Sequence, residues 1–338
     1  MQKRNKFFPK VTVIVPVKNG ATHIRELLDS LMQVDYDKDK LEIIVVDGNS
    51  TDGTREIVSQ YPVRLLTEEG PGLNAARNTG IKHGNGEIMA FTDFDCVVPE
   101  NWIKKIVENF QDSNVGCVGG NILGFYNNFL SLYADESVIP VMRIFKKREV
   151  LDSVKPPLYY PAGCNMAFTR EAIQKVGTFD EGIKYSFDED ELVERICRAG
   201  YKMALDPDVL VKHKHRSTLR NLLKQTFTYG RGLGNMLRTN GLKSAFSKWA
   251  LLCIIGFVVW SSIILSLMIY TFLTFSLASQ ALLWTMLLLP PFALIIFYAY
   301  RVTKKRDKRY RGILLYPLVD VARMLAFVFG MLYPLLKL

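Results

Sequence analysis

Two aspartates stand two residues apart in Thr92-Asp93-Phe94-Asp95-Cys96, where the apolar run Glu87–Phe91 ends. In an extended backbone, residues i and i+2 point to the same side, and a turn at the strand end can aim both carboxylates at one hard cation. Magnesium or manganese held there would bridge to a diphosphate and offset charge on a leaving group. The plain alternative is an Asp-rich turn, because a DxD spacing arises often by chance. His213 and His215 follow the apolar run Asp208–Val211. A neutral His213 imidazole would complete the coordination of such a cation, whereas a solvent- or membrane-facing histidine is the more ordinary outcome.

A second group of acids, Asp188-Glu189-Asp190-Glu191, opens a helical pattern. Acids at a helix start favour the macrodipole, which is a structural reason for them. Like charges this close also raise one another's pKa, which suits a general base taking a proton from an attacking hydroxyl. Glu191 lies four residues before Arg195, so that pair is expected to be structural.

Asp47 closes a strand in Val45-Val46-Asp47-Gly48-Asn49-Ser50-Thr51-Asp52. A carboxylate there can accept from a base N–H or from ribose hydroxyls. Ser50 and Asp52 are placed either at the same ligand or as caps of the following helix. Gly70, Gly72 and Ala75 match the dinucleotide pattern G-x-G-x-x-A, with Asp93 about 20 residues on. Glu68 and Glu69 would repel a pyrophosphate there, and the first strand, where that pattern belongs, ends in Pro-Val-Lys-Asn-Gly. The preferred reading has the glycines make a turn and the next helix present Asn74, Arg77 and Asn78 to a ligand, with Arg77 on phosphate. A nicotinamide-dependent oxidoreductase is the rival reading.

The elements that carry these residues alternate. Val11–Val17, Glu42–Asp47, Val63–Thr67, Glu87–Asp93 and Val115–Gly120 are short apolar runs rich in β-branched residues. Helical patterns fall at Ile24–Met32, after Asp52, at Leu73–His83 and at Pro99–Phe110. That order predicts an α/β fold with a mainly parallel sheet and helices on both faces. Ligands in such folds bind at the carboxyl ends of the strands, where Pro16–Asn19, Asp47–Asp52 and Asp93–Asp95 cluster. Phe125–Pro161 reads as an irregular insertion, with further helices expected at Thr169 and Asp188–Ala199.

The net charge of +10 is divided unevenly. Residues 1–211 hold 25 Lys and Arg against 31 Asp and Glu, and residues 212–338 hold 18 against 2. A basic segment beside apolar spans predicts contact with anionic membrane lipids rather than nucleic acid. Trp249–Phe275 and Ala281–Tyr300 contain no charged residue and reach the length of a membrane span, about 20 residues. A third run, 312–336, is long enough but includes Asp320 and Arg323, which at i,i+3 can pair. The stretch 212–248 reads as a basic amphipathic interfacial segment, with Leu219, Leu222, Leu223 and Phe227 on one face and Arg216, Arg220 and Lys224 on another. The positive-inside rule puts Lys304–Arg311 in the cytosol and the uncharged Ser276–Gln280 outside. The N-terminus lacks the apolar core of a signal peptide, so residues 1–211 are expected to be a cytosolic domain of an integral membrane protein. Five scattered cysteines fit reduced thiols.

In their order, VTVIVPVKNG, IIVVDGNSTDGT, GLNAARNTGI, GEIMAFTDFDC, PAGCNMAFTREAIQKVGTFDE and DEDELVERI resemble family 2 of the inverting glycosyltransferases, across about residues 10–215. The resemblance implies a GT-A fold, a UDP- or GDP-sugar donor, a divalent metal around Asp93 and Asp95, and a nucleotide site lined by Pro16, Asn19, Asp47 and Asp93. It implies that the segment containing Gly163 and Asn165 lies near donor sugar and acceptor. The family's Glu-Asp pair falls on Asp188 and Glu189, so Glu189 occupies the base position with Asp190 adjacent. The processive members carry Gln-x-x-Arg-Trp, whereas Gln225 here precedes Thr-Phe-Thr-Tyr-Gly-Arg-Gly. Addition of one sugar to a hydroxyl of a lipid-linked or cell-surface glycan precursor is therefore expected. A polyprenyl-phosphate sugar synthase and a non-catalytic membrane scaffold are the alternatives.

Overall fold

The computed structural model describes residues 8–138, 144–157, 159–184, 186–305 and 315–336. The chain divides into two compact units, residues 1–135 with 141–215, and residues 136–140 with 216–338.

The first unit is built on a nine-stranded sheet ordered β3-β2-β1-β4-β8-β6-β9-β5, with β7 paired to β9. Strands β1 (Val11–Val17), β2 (Leu41–Asp47), β3 (Arg64–Thr67) and β4 (Ile88–Phe91) are mutually parallel. Every residue of β1 is buried, as a central strand covered on both faces requires. Helices α1 (Ile24–Met32), α2 (Thr54–Val58) and α3 (Leu73–His83) make the crossovers expected from the apolar spacing.

Beyond β4 the sheet becomes mixed. β5 (Cys96–Val97) leads through α4 (Trp102–Asn109) to β6 (Val115–Gly124), and β8 (Met166–Thr169) runs antiparallel between β4 and β6. The stretch expected to be irregular contains α5 (Phe129–Glu136) and β7 (Glu149–Leu151). Helices α6 (Arg170–Val176) and α7 (Asp188–Arg198) precede the long β9 (Lys202–His213). Opposite β6, β9 bulges: Gly120 pairs with Asp206 but Asn121 pairs with Leu210. Pro207 sits in that bulge, where its missing N–H costs no ladder bond.

The second unit is helical: α8 (Leu219–Asn240), α9 (Ala245–Thr274), α10 (Leu277–Lys305) and α11 (Tyr316–Leu336). The last three are each long and apolar enough to cross a membrane. Their bounds differ from the expected spans, because α9 begins four residues before Trp249 and Ser276–Gln280 is no loop. Phe275, in the left-handed region at φ 51°, and Ser276 make the whole turn into α10. Most of the basic loop Lys304–Arg311 lies outside the described residues.

Of the apolar face expected on α8, Leu222 is buried, Leu223 and Phe227 are half-buried and Leu219 is exposed, as are Arg216, Arg220 and Lys224, and the helix packs closely on α11. Glycines set that contact. A Cβ at Gly230 or Gly234 would strike the carbonyls of Phe327 or Met331, and one at Gly330 the carbonyl of Phe227. Small residues one turn apart let two helix backbones meet in this way. The charges on α11 are spent inside the unit: Asp320 accepts from Tyr298 at 2.5 Å, and Arg323 donates to Thr226 at 3.3 Å.

Candidate active site

The parallel register sets Val17, Asp47 and Thr67 at one level, while β4 stops at Phe91, opposite Ile14. Thr92 N still donates to Ile14 O, and Asp93–Asp95 then turn out of the sheet, Cys96 N bonding Asp93 O. β5 pairs antiparallel with the end of β9, Cys96 opposite His213. That register seats His213 Nε2 3.3 Å from Asp95 Oδ1, a meeting of residues 118 apart in sequence. His213 Nδ1 lies 3.0 Å from His215 Nδ1, and His215 in turn faces Asp135 at 3.6 Å.

The electrostatics of this corner favour a cation. Burial, and next Asp95, push the Asp93 carboxyl above its usual range, against the pull of Arg77 and His213. Burial works to lower the His213 pKa, but the hydrogen bond and charge of Asp95 outweigh it and lift the imidazole to about 9. The ligand atoms of Asp95, Cys96 and His213 lie within 4.8 Å of one another. Cys96 is the wrong ligand for a hard ion: burial and its contact with Cys164 hold the thiol protonated. Asp95 and His213 bring a carboxylate and an imidazole together, with the Asp93 carboxyl near enough to feel both, and these donor types suit magnesium or manganese once the imidazole gives up its proton. The residues present fit the ion.

Asp47 is fully buried at the end of β2. Its Oδ2 accepts from Ser50 N at 3.2 Å and Arg55 Nη1 at 3.0 Å, whereas its buried Oδ1 has no hydrogen-bond partner. An orphaned buried acceptor is costly, and a ligand N–H or hydroxyl would satisfy it. The neighbouring polar residues are committed differently. Asn19, held at φ 53°, takes Thr51 N on its side chain, and its own N–H donates to Ser50 Oγ. Asp52 caps Thr54 and accepts from Ala21 N. Asn19, Ser50 and Asp52 thus stitch the two loops that flank Asp47. Pro16 is buried in β1, level with Val46.

The turn after β3 is closed by the chain itself. Glu68 accepts from Gly72 N, and Glu69 is paired with Lys82 and His83 of α3. A dinucleotide pyrophosphate would meet these carboxylates, so the nicotinamide reading fails here. Inside α3, Asn74 donates to Asp180 O and Ile183 O, and Asn78 exchanges bonds with the Phe179 main chain. Arg77 is buried and forms an ion pair with Asp188. Burial opposes its charge, yet Asp188, then Glu189 and Asp93, hold its pKa above the usual value.

The four acids of α7 separate by environment. Asp188 is taken by Arg77, and Glu191 by Arg195 in a two-pronged bond at 2.7 and 2.8 Å, as its spacing implied. Asp190 is buried. Glu189 is half-buried, and its Oε1 accepts from Gly163 N at 3.3 Å. Asn165, by contrast, is sealed in the sheet, donating to Asn121 O and Val209 O and accepting from Trp102 Nε1. The spacing of the sequence did not point to Lys214, whose buried ammonium pairs with Glu26 and lies 5.3 Å over the Phe125 ring. Its N–H donates to Asp95 O, bracing the acid from behind.

Residues 12–177 match the profile of Glycosyl transferase family 2. Glycosyltransferase AglE of Haloferax volcanii is 31% identical over 261 residues, spanning 74% of this chain and 82% of that protein. The chain belongs to glycosyltransferase family 2. An uncharacterized glycosyltransferase of Rickettsia prowazekii, RP339, is 32% identical over 63% of this glycosyltransferase and 66% of its own length. Among solved structures, the mannosyltransferase PcManGT from Pyrobaculum calidifontis, in complex with GDP-Man and Mn2+, superposes with a TM-score of 0.62 at 22% identity, covering 95% of this chain and 87% of that one. TarS 1-349 of S. aureus in complex with UDP-GlcNAc gives 0.51 at 19% identity, covering 96% and 92%. The fold is GT-A, with three apolar helices following it.

Proposed function

We propose that this glycosyltransferase moves one sugar, with inversion, from a UDP- or GDP-sugar to a hydroxyl of a lipid-linked or cell-surface glycan precursor. The observation that carries the reading is the meeting of Asp95 with His213 beside Asp93, at the strand end where an α/β sheet binds ligands. Asp47 would accept from the nucleoside through its orphaned Oδ1. Asp93, Asp95 and His213 would hold magnesium or manganese, which when bound offsets the charge of the departing diphosphate. Glu189, half-exposed and steadied by the Gly163 N–H, would take the acceptor's proton, with Asp190 beside it. Neighbours of this fold that bind GDP-Man with Mn2+, or UDP-GlcNAc, support the donor class and the ion.

The charge distribution supports a site on the cytosolic face of a membrane, with the exposed basic residues of α8 near anionic lipid. Sugar transfer by the purified chain from a panel of nucleotide-sugars, with chelator or Mn2+, tests the reading. Chelation and Asp95→Asn should each lower turnover about 100-fold or more. Full metal-dependent turnover in both Asp93→Asn and Asp95→Asn would remove the metal assignment. Undiminished transfer by Glu189→Gln would favour a phosphate acceptor, which needs little help from a base.

A further inference from the structure

We propose that Arg77 is a positioning residue for Glu189: it fixes the start of α7 and the Gly163 backbone, and does not bind the donor's phosphates. The proposal rests on the reading of Glu189 as base given above. Three observations carry it. First, α7 has no side-chain cap of its own and begins after Phe187 in the left-handed region, at φ 67°. Such a start needs to be held from outside, and Arg77 holds it by pairing with Asp188, the residue before Glu189.

Second, the guanidinium lies against Gly163 so closely that a Cβ there would fall on Nη2. Gly163 N–H is the group that donates to Glu189 Oε1. One side chain therefore fixes Glu189 twice, through its chain neighbour and through its hydrogen-bond donor. Third, the neighbours of Arg77 on α3 hold the stretch that leads into α7: Asn74 and Asn78 tie down residues 179–183, and Phe179 lies under the Arg77 guanidinium at 5.1 Å. Arg77 itself is 2% exposed, and its unbonded Nε is sealed from solvent. A diphosphate arriving from water has no path to that nitrogen.

A buried ion pair also offers a way to separate positioning from mere stability. Removing one partner strands a buried charge, whereas replacing both with apolar residues often restores the fold. The experiment uses the full chain in detergent, with transfer kinetics, Mn2+-dependent binding of the nucleoside diphosphate, and the thermal midpoint. Glu189→Gln comes first, and its loss of turnover establishes the base. Arg77→Met and Asp188→Leu should then each lower the midpoint, and the double variant should recover it. In the double variant kcat should stay down by about 10-fold or more, with donor KM and nucleotide affinity within about 2-fold of the parent. Arg77→Lys, which keeps the charge but not the two-sided reach, should fold and show the same kcat-only loss.

Recovery of kcat together with stability would reduce the pair to scaffold and overturn the proposal. A loss of nucleotide affinity of about 10-fold in Arg77→Met would overturn it in favour of a phosphate contact. Full activity of Glu189→Gln would instead take down the base assignment, whatever the Arg77 variants do.

Discussion

Replacing Asn165 with leucine should unfold the glycosyltransferase at a lower temperature without weakening its hold on the donor. The reason lies in the β9 bulge. Between Asp206 and Leu210 that strand leaves its ladder with β6, and Val209 O falls inside the irregular stretch. Asn165 Nδ2 spans the gap, donating to Val209 O and to Asn121 O at 2.9 Å each, while its Oδ1 receives Trp102 Nε1 at 3.0 Å. Leucine has similar bulk and none of these bonds, so three polar groups lose a partner in a site with no access to water. Each such group costs about 1–3 kcal/mol, and taking the lower end gives about 3 kcal/mol. For a unit of this size each kcal/mol moves the midpoint by about 2–4 °C, so the expected fall is about 10 °C. Differential scanning of the detergent-solubilised protein measures it, and donor KM on the remaining folded enzyme measures the ligand side. A midpoint within about 1 °C of the parent, with donor KM raised about 10-fold, would refute the reasoning and make Asn165 a sugar contact.

Two further outcomes follow from the nucleoside contact proposed for Asp47 and from the helix contact. Asp47→Asn should raise donor KM by about 10-fold and leave kcat within about 2-fold, since it weakens an acceptor that serves ground state and transition state alike; steady-state kinetics at saturating Mn2+ will show it. Gly330→Leu should force α11 off the Phe227 carbonyl and cost about 1–3 kcal/mol, read as a lowered thermal midpoint with an unchanged transfer rate in the protein that stays folded.

The parallel half of the sheet was legible because β1, most of β2 and β4 are continuous apolar runs buried on both faces, with helices between them, while β3 at the edge is only half-buried. The mixed half was not. Met166–Thr169 is four residues inside a stretch that reads as a motif, and Lys202–His213 is interrupted by Pro207, which argues against a strand unless a bulge is known. The acids at strand ends were visible for the same reason as the strands: Asp47, Asp93 and Asp95 follow apolar runs directly.

What composition and spacing cannot reveal is whether a polar side chain near a strand end faces a ligand or is consumed by the chain. Asn19, Ser50, Asn74 and Asn165 are of the right type and in the right place, yet their hydrogen bonds go largely to backbone. Those partners lie up to 109 residues away in sequence, and only the tertiary fold brings them together. The converse holds for His213. Nothing in its local sequence distinguishes it from His215, but antiparallel pairing of β5 with β9 puts the first histidine against Asp95 and the second against Asp135. A shift of that pairing by one residue would exchange the faces of the strand and aim Lys212 or Lys214 where His213 now stands. An ammonium there would repel any cation drawn to the two aspartates. The metal site proposed for this corner therefore depends on a two-residue strand holding its register, and the buried Lys214–Glu26 pair with the Lys214 N–H bond to Asp95 O helps to pin it.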